Sequence, residues 1–230
     1  MSRIRRFPMR PLLQTLAAVL VGATASAQSS ARSSYPVVSP SLSDSAEIRL
    51  AMTAAPAEIS SPATIYAIRA GKPVVIRKGT NGVSCMVSRD LHEGSLYPIC
   101  YDREASRTLL QRELLEVSLR AQGRSEEAVR DAVRAARAAG TLREPATIAV
   151  AYMLSPHQVL FASPLADGVR VGAWFPHLMI SGPGLSREAV GLAAESSVSQ
   201  FMVQATDGHH TELIVKLAEW SDGKKVGAGR

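Results

Sequence analysis

Two cysteines, Cys85 and Cys100, are the only ones in the chain, and 15 positions separate them. They lie in the stretch 72–101, KPVVIRKGTNGVSCMVSRDLHEGSLYPICY. Val74, Val75 and Ile76 form one short β-branched run, and residues 83–87 form another. Between them stands Gly79-Thr80-Asn81-Gly82, and Asn-Gly tolerates the positive φ of a tight hairpin turn. An upstream run, 64–68, precedes a further turn at 69–72. Three strands in a meander over 63–88 are the expectation. In the third strand Val83, Cys85 and Val87 share one face, so Cys85 points to the apolar side.

A bond from Cys85 to Cys100 closes a loop whose entropy stabilises a fold by about 3 kcal/mol. Two competing readings stand beside it. A metal site wants four ligands at close spacing, which two lone cysteines do not supply. A thiol nucleophile paired with His92 or His177 is the other, and exported thiols are usually paired with each other.

Export is read from the N-terminus. Arg3, Arg5, Arg6 and Arg10 form a positive region, residues 12–21 an apolar one, and Ala25-Ser26-Ala27 a small-residue cleavage site. The expectation is a leader over 1–27, cut after Ala27, for a periplasmic or secreted protein. The apolar run is shorter than the roughly 20 residues a membrane span needs. With the four leader arginines gone, 22 basic residues face 20 acidic ones, a balance of +2. Such a surface argues against nucleic acid and against an anionic membrane as partner. Residues 28–45, rich in Ser, Pro and Ala, read as a disordered tether.

Along the mature chain, Ile48, Ala51, Met52 and Ala55 make an apolar stripe on a helix over 46–54, capped by Asp44 or Ser45. Residues 89–98 read as a polar loop between the cysteines. Asp102 can cap the next helix, 106–122, whose stripe is Leu110, Leu114 and Val117. Gly123 ends it, and Ser125 restarts a helix with Glu126 and Glu127 in its first turn. Val129 and Val133, with Ala128, Ala132 and Ala136, form that second helix's inner face. Strands are expected at 146–154, 159–161, 169–171, 174–180, 198–203 and 212–216, with a helix start at 186–190 and a frayed tail over 221–230. The fold class is α+β: a mainly antiparallel sheet packed by a two-helix hairpin, in a single domain over 46–220.

No nucleophile elbow, P-loop or dinucleotide fingerprint is present, and no motif requires a cofactor. The candidate ligand-binding set is Tyr152, Met153, His157, His177 and Met179, on the assumption of a cleft between sheet and helices. His177 is also the one candidate general acid or base. Asp207, His209 and Glu212 carry oxygen and nitrogen donors that suit a divalent metal, at a spacing that matches no strong zinc pattern. Buried-histidine and exposed-loop readings compete with both.

Thr80-Asn81-Gly82 followed by Cys85, then Arg120-Ala121-Gln122-Gly123, Ala151-Tyr152-Met153-Leu154-Ser155 and Pro176-His177-Leu178-Met179, occur in this order in a group of exported bacterial proteins without an assigned activity. The chain resembles that group over residues 46–217. The resemblance implies export and a single domain, and it assigns no catalytic residue. Three functions follow as expectations. The first is a binding module of the cell envelope for a small molecule or an envelope protein. The second is an enzyme using His177. The third is a structural envelope protein.

Overall fold

The computed structural model describes residues 42–90, 95–158, 160–161, 170–172, 175–192, 201–206 and 210–226. The expected leader, the tether up to residue 41, His92, Asp207 and His209 lie outside the described residues. The fold is α+β. Helices α1 (Asp44–Met52) and α2 (Ala57–Ser60) lead into strands β1 (Thr64–Arg69), β2 (Lys72–Arg77), β3 (Ser84–Asp90) and β4 (Ser95–Tyr101). Then come α3 (Arg103–Arg107), α4 (Leu109–Ala121) and α5 (Glu126–Ala138). Strands β5 (Ala149–Met153), β6 (Leu160–Phe161), β7 (Arg170–Gly172), β8 (His177–Ser181), β9 (Phe201–Thr206) and β10 (His210–Lys216) follow. Eight of them form one sheet in the order β2-β1-β3-β4-β5-β8-β10-β9, and β6 pairs with β7 apart from it.

The meander expected over 63–88 is corrected. β1 and β2 do form a hairpin, turning on Ala70 at φ 50° and Gly71 at φ 72°. β3, however, lies on the other side of β1 and runs parallel to it, with Ile65 opposite Cys85. Composition explains the order. β2 carries Lys72 and Pro73, residues suited to a sheet edge, and its Val74 and Val75 are each 41% exposed. β3 buries Cys85 and Val87 on one face and Met86 on the other, as suits a strand paired on both sides.

Asn81 therefore does not make a two-residue turn. Its amide nitrogen donates to Ile59 O at 2.8 Å, and its Oδ1 accepts from the Val83 amide at 3.1 Å. The segment 78–83 passes under the entry to β1, and Gly79 lies against the backbone there. A Cβ on Gly79 would sit 2.2 Å from Thr64 N and 2.3 Å from the Ala63 carbonyl carbon. Gly79→Ala is expected to lower stability by about 2–3 kcal/mol, since neither backbone can yield without unpairing β1. A denaturation midpoint equal to that of the wild type would contradict this packing.

The expected polar loop at 89–98 is also corrected. β3 and β4 pair antiparallel from Ser84 opposite Tyr101 to Asp90 opposite Ser95. Cys85 and Cys100 face each other directly across this ladder and are joined by a disulfide, with Cα atoms 4.0 Å apart.

Both faces of this half of the sheet are covered. On one, Ile65, Cys85, Val87 and Cys100 pack with Ala51, Ala54 and Ala55 of the α1–α2 segment. On the other, Met86, Ile99, Tyr101 and Ala151 meet Leu110, Leu114 and Val117 of α4. The expected helix 106–122 breaks at Thr108, whose hydroxyl donates to Glu104 O at 2.7 Å. Asp102 caps α3 through Ala105 N at 2.7 Å, and Ser125 caps α5 through Ala128 N at 3.3 Å. α4 touches β2 and β3, and α5 packs on α4. α1 starts at a cap on Ser43, inside the stretch expected as tether. The 186–190 segment is a bonded turn rather than a helix, with Val190 N on Ser186 O at 3.2 Å.

Part of the expected tail is tied down. Ser221 N donates to Leu154 O at 2.9 Å and its hydroxyl to Thr53 O at 2.6 Å. Among the described residues no helix is long and apolar enough to cross a membrane.

Candidate ligand site

Pairing between β5 and β8 sets Met153 opposite His177 and Ala151 opposite Met179. The period-2 alternation puts Met153, His177 and Met179 on the α4 face of the sheet. Tyr152 takes the other face and packs with the α1-side cluster. His157 is exposed in the turn after β5, its amide bonded to Ser155 Oγ at 3.1 Å. The fold thus brings three of the five expected binding residues together and leaves two apart.

His177 is fully buried, at 0% exposure. Its Nδ1–H donates to Phe175 O at 2.9 Å, and the Phe175 ring stands edge-on at 5.3 Å. Burial pulls its pKa below the ordinary histidine value, while the Phe175 carbonyl and Glu212 pull it up. The unfolded chain therefore takes up this proton first as pH falls, and stability present above pH 6.5 is lost below it. His177→Gln is expected to flatten stability against pH below 6.5. Chemical denaturation at several pH values reads this, and unchanged slopes would contradict it. A ring sealed from solvent in this way is placed for packing rather than for proton transfer to a substrate.

Around it runs a polar layer that ties α4 to the sheet. Ser88 of β3 donates to Glu113. Arg112 lies 3.7 Å from Glu116 and 3.9 Å from Glu212 of β10. Tyr101 is pushed well above its usual pKa, by burial first and by Glu113 second. Glu212, expected as a metal donor, is directed at Arg112 instead. Among the described residues no group of three metal-binding side chains forms.

The concave candidate lies elsewhere, where the sheet forks. The β1–β3 register ends at Tyr66 opposite Met86, yet β1 continues to Arg69 and β3 to Asp90. The gap is roofed by the last turn of α4, where Gln122 donates to Gly71 O at 3.0 Å. The result is a cavity of about 230 Å³ lined by Ile68, Ala70, Gly71, Val87, Arg89, Val117, Arg120 and Ala121. Five of these eight carry aliphatic side chains. Ala70 and Ala121 are exposed and form its mouth.

Arg89 dominates the electrostatics. Its Nη1 and Nη2 reach Glu47 Oε1 and Oε2 of α1 at 2.7 and 2.8 Å, and Nη1 also donates to Val87 O. Glu47 is 0% and Arg89 9% exposed. The buried Arg89 Nε–H has no acceptor among the described residues.

A second groove of about 300 Å³ runs between α4 and α5. It is walled by Arg120, Glu126, Arg130, Arg134 and Arg137, most of them matched by nearby carboxylates. That is a solvated charged face, and the fork cavity is the better ligand site. Sequence reasoning missed the fork because its residues are scattered over three elements. One signal was present: Arg89 continues the inward alternation of Cys85 and Val87, a charge on an apolar face. Comparison of the chain with protein-family models, with curated proteins and with solved structures finds no match.

Proposed function

We propose that this chain is an exported binding module of the cell envelope that holds a small molecule in the fork cavity. The observation that carries the reading is the concave, largely aliphatic space between β1, β3 and α4. The disulfide supports the compartment, since such bonds persist in oxidising surroundings. In this reading residues 1–27 are a leader cut after Ala27, and α4 with α5 acts as a helical hairpin whose first helix roofs the site. The likeness to exported bacterial proteins over 46–217 fits the same picture. The enzyme reading draws no support from His177, which solvent does not reach.

Two measurements test this. Protein recovered from the periplasm of an expressing bacterium should begin at Gln28 and carry no free thiol; retention of the leader would remove the export half of the reading. Saturation-transfer NMR against a library of small apolar fragments should give hits that compete with one another. Ala121→Trp, at an exposed position on the mouth, should abolish them with the circular dichroism unchanged. Hits that survive this substitution would place binding elsewhere.

A further inference from the structure

We infer that the fork cavity receives this chain's own N-terminal segment, Tyr35-Pro36-Val37-Val38, so that a small molecule binds there by displacing it. The inference rests on the binding reading above and supplies the regulation of that site.

Leu42, the first described residue, stands at the fork. Its carbonyl oxygen accepts from Arg69 Nη2 at 3.3 Å, and Asp44 pairs with the same nitrogen at 2.8 Å. Arg69 lies between Ile68 and Ala70, both of which line the cavity. One turn further along α1, Glu47 grips Arg89, another lining residue. The first turn of α1 is thus bonded to both prongs of the fork, and the chain that precedes Leu42 starts beside the cavity. Val38 is four residues before Leu42, and four residues span up to about 14 Å. Pro36 and Pro40 favour extended backbone in Tyr35 and Ser39, which lengthens that reach.

Size and chemistry agree. An engineered cavity of about 150 Å³ holds benzene, so a space of about 230 Å³ has room for two valine side chains. Residues 33–41, SSYPVVSPS, carry no charge. Ile68, Val87 and Val117 offer Val37 and Val38 an aliphatic wall. Both arginines that line the space already have counter-ions. Arg89 is held by Glu47 through both terminal nitrogens, and Arg120 lies 3.3 Å from Glu116 and 2.9 Å from Glu126. An uncharged occupant leaves those pairs intact, whereas a charged one gives up hydration without gaining a partner. A link this short holds the segment at an effective concentration in the millimolar range. An intrinsic affinity of roughly 0.1 mM then fills the cavity about nine-tenths of the time, and weakens a competing molecule about tenfold.

Methyl-resolved NMR of residues 28–230 tests this, with the wild type set against Val37→Ser combined with Val38→Ser. Both substitutions precede the Ser43 cap of α1, so the folded elements keep their contacts. The Ile68 and Val117 methyl shifts are expected to differ between the two proteins, while those of Val129 and Val133 stay the same. Toluene should bind the variant about tenfold more tightly than the wild type. Identical Ile68 and Val117 shifts, or equal toluene affinities, overturn the docked segment and leave the cavity a binding site wherever toluene binds. Shifts that move at Val129 and Val133 instead place the segment in the α4–α5 groove and overturn it too. Differences that fade on dilution would mean that a second copy supplies the segment, against the intramolecular contact. Ile68 and Val117 shifts that move while toluene binds neither protein support the docked segment and remove the small-molecule reading.

Discussion

Glu47→Ala lowers the stability of the folded chain by about 3–5 kcal/mol, because it strands the Arg89 guanidinium in a nearly dry interior. The pair is well made, two parallel hydrogen bonds of 2.7 and 2.8 Å between α1 and β3. Bidentate geometry of this kind is the strongest form of the contact. Taking both ions out of water offsets most of that attraction, so the pair itself adds little net stability. The loss appears only when one partner goes. The double variant Glu47→Leu with Arg89→Met should accordingly recover most of what the single variant loses. Urea denaturation of Glu47→Leu, of Arg89→Met and of the double gives the coupling directly. A double variant as unstable as Glu47→Ala would mean that the space, not the charge, sets the cost. Against a net stability of roughly 5–15 kcal/mol, the single substitution brings the protein close to unfolding.

Removing the staple is the second large effect. Cys85→Ala with Cys100→Ala frees a segment of 15 positions in the unfolded chain, which costs about 3 kcal/mol of stability in the chain-entropy account. Both sulfurs are fully buried in the α1-side cluster with Ile65, Ala51 and Val87, so packing is lost as well. The bond spans neighbouring strands already hydrogen-bonded along seven residue pairs, and the native ladder should survive its loss. The expected result is a lower melting temperature with the same far-ultraviolet spectrum. An unchanged melting temperature on reduction would show that the bond does not constrain the chain.

Local signals in the sequence located most elements. The β1–β2 hairpin, the Asp102 and Ser125 caps, the stop at Gly123 and the disulfide all depend on residues close in sequence or on simple composition. What local patterns miss is which strand goes between which. Asn81-Gly82 has the chemistry of a tight turn, but the Asn81 side chain also donates to Ile59 O, 22 positions away and outside any local window. The order β2-β1-β3 follows from burial on both faces of β3, a property of the assembled sheet.

The site fared differently for the same reason. Met153, His177 and Met179 meet as the strand alternation suggests, yet they meet inside the core. Tyr152 differs from Met153 by one residue and so by one face. The fork was hidden because a cavity is made where two strands stop pairing, and beyond the charge of Arg89 on an apolar face nothing in Ile68 or Val117 marks that end. Arg89 falls in the expected polar loop 89–98, and nothing local marks Glu47 as buried, since only their pairing across 42 positions makes that burial tolerable.

Intermolecular NOE spectroscopy with the tightest aromatic fragment hit bound to the methyl-labelled protein tests the central claim most directly. The account predicts contacts from the bound ring to the methyl groups of Ile68, Val87 and Val117, the walls of the fork. Contacts to Val129 and Val133 in the α4–α5 groove, with none to Ile68 or Val117, would contradict it.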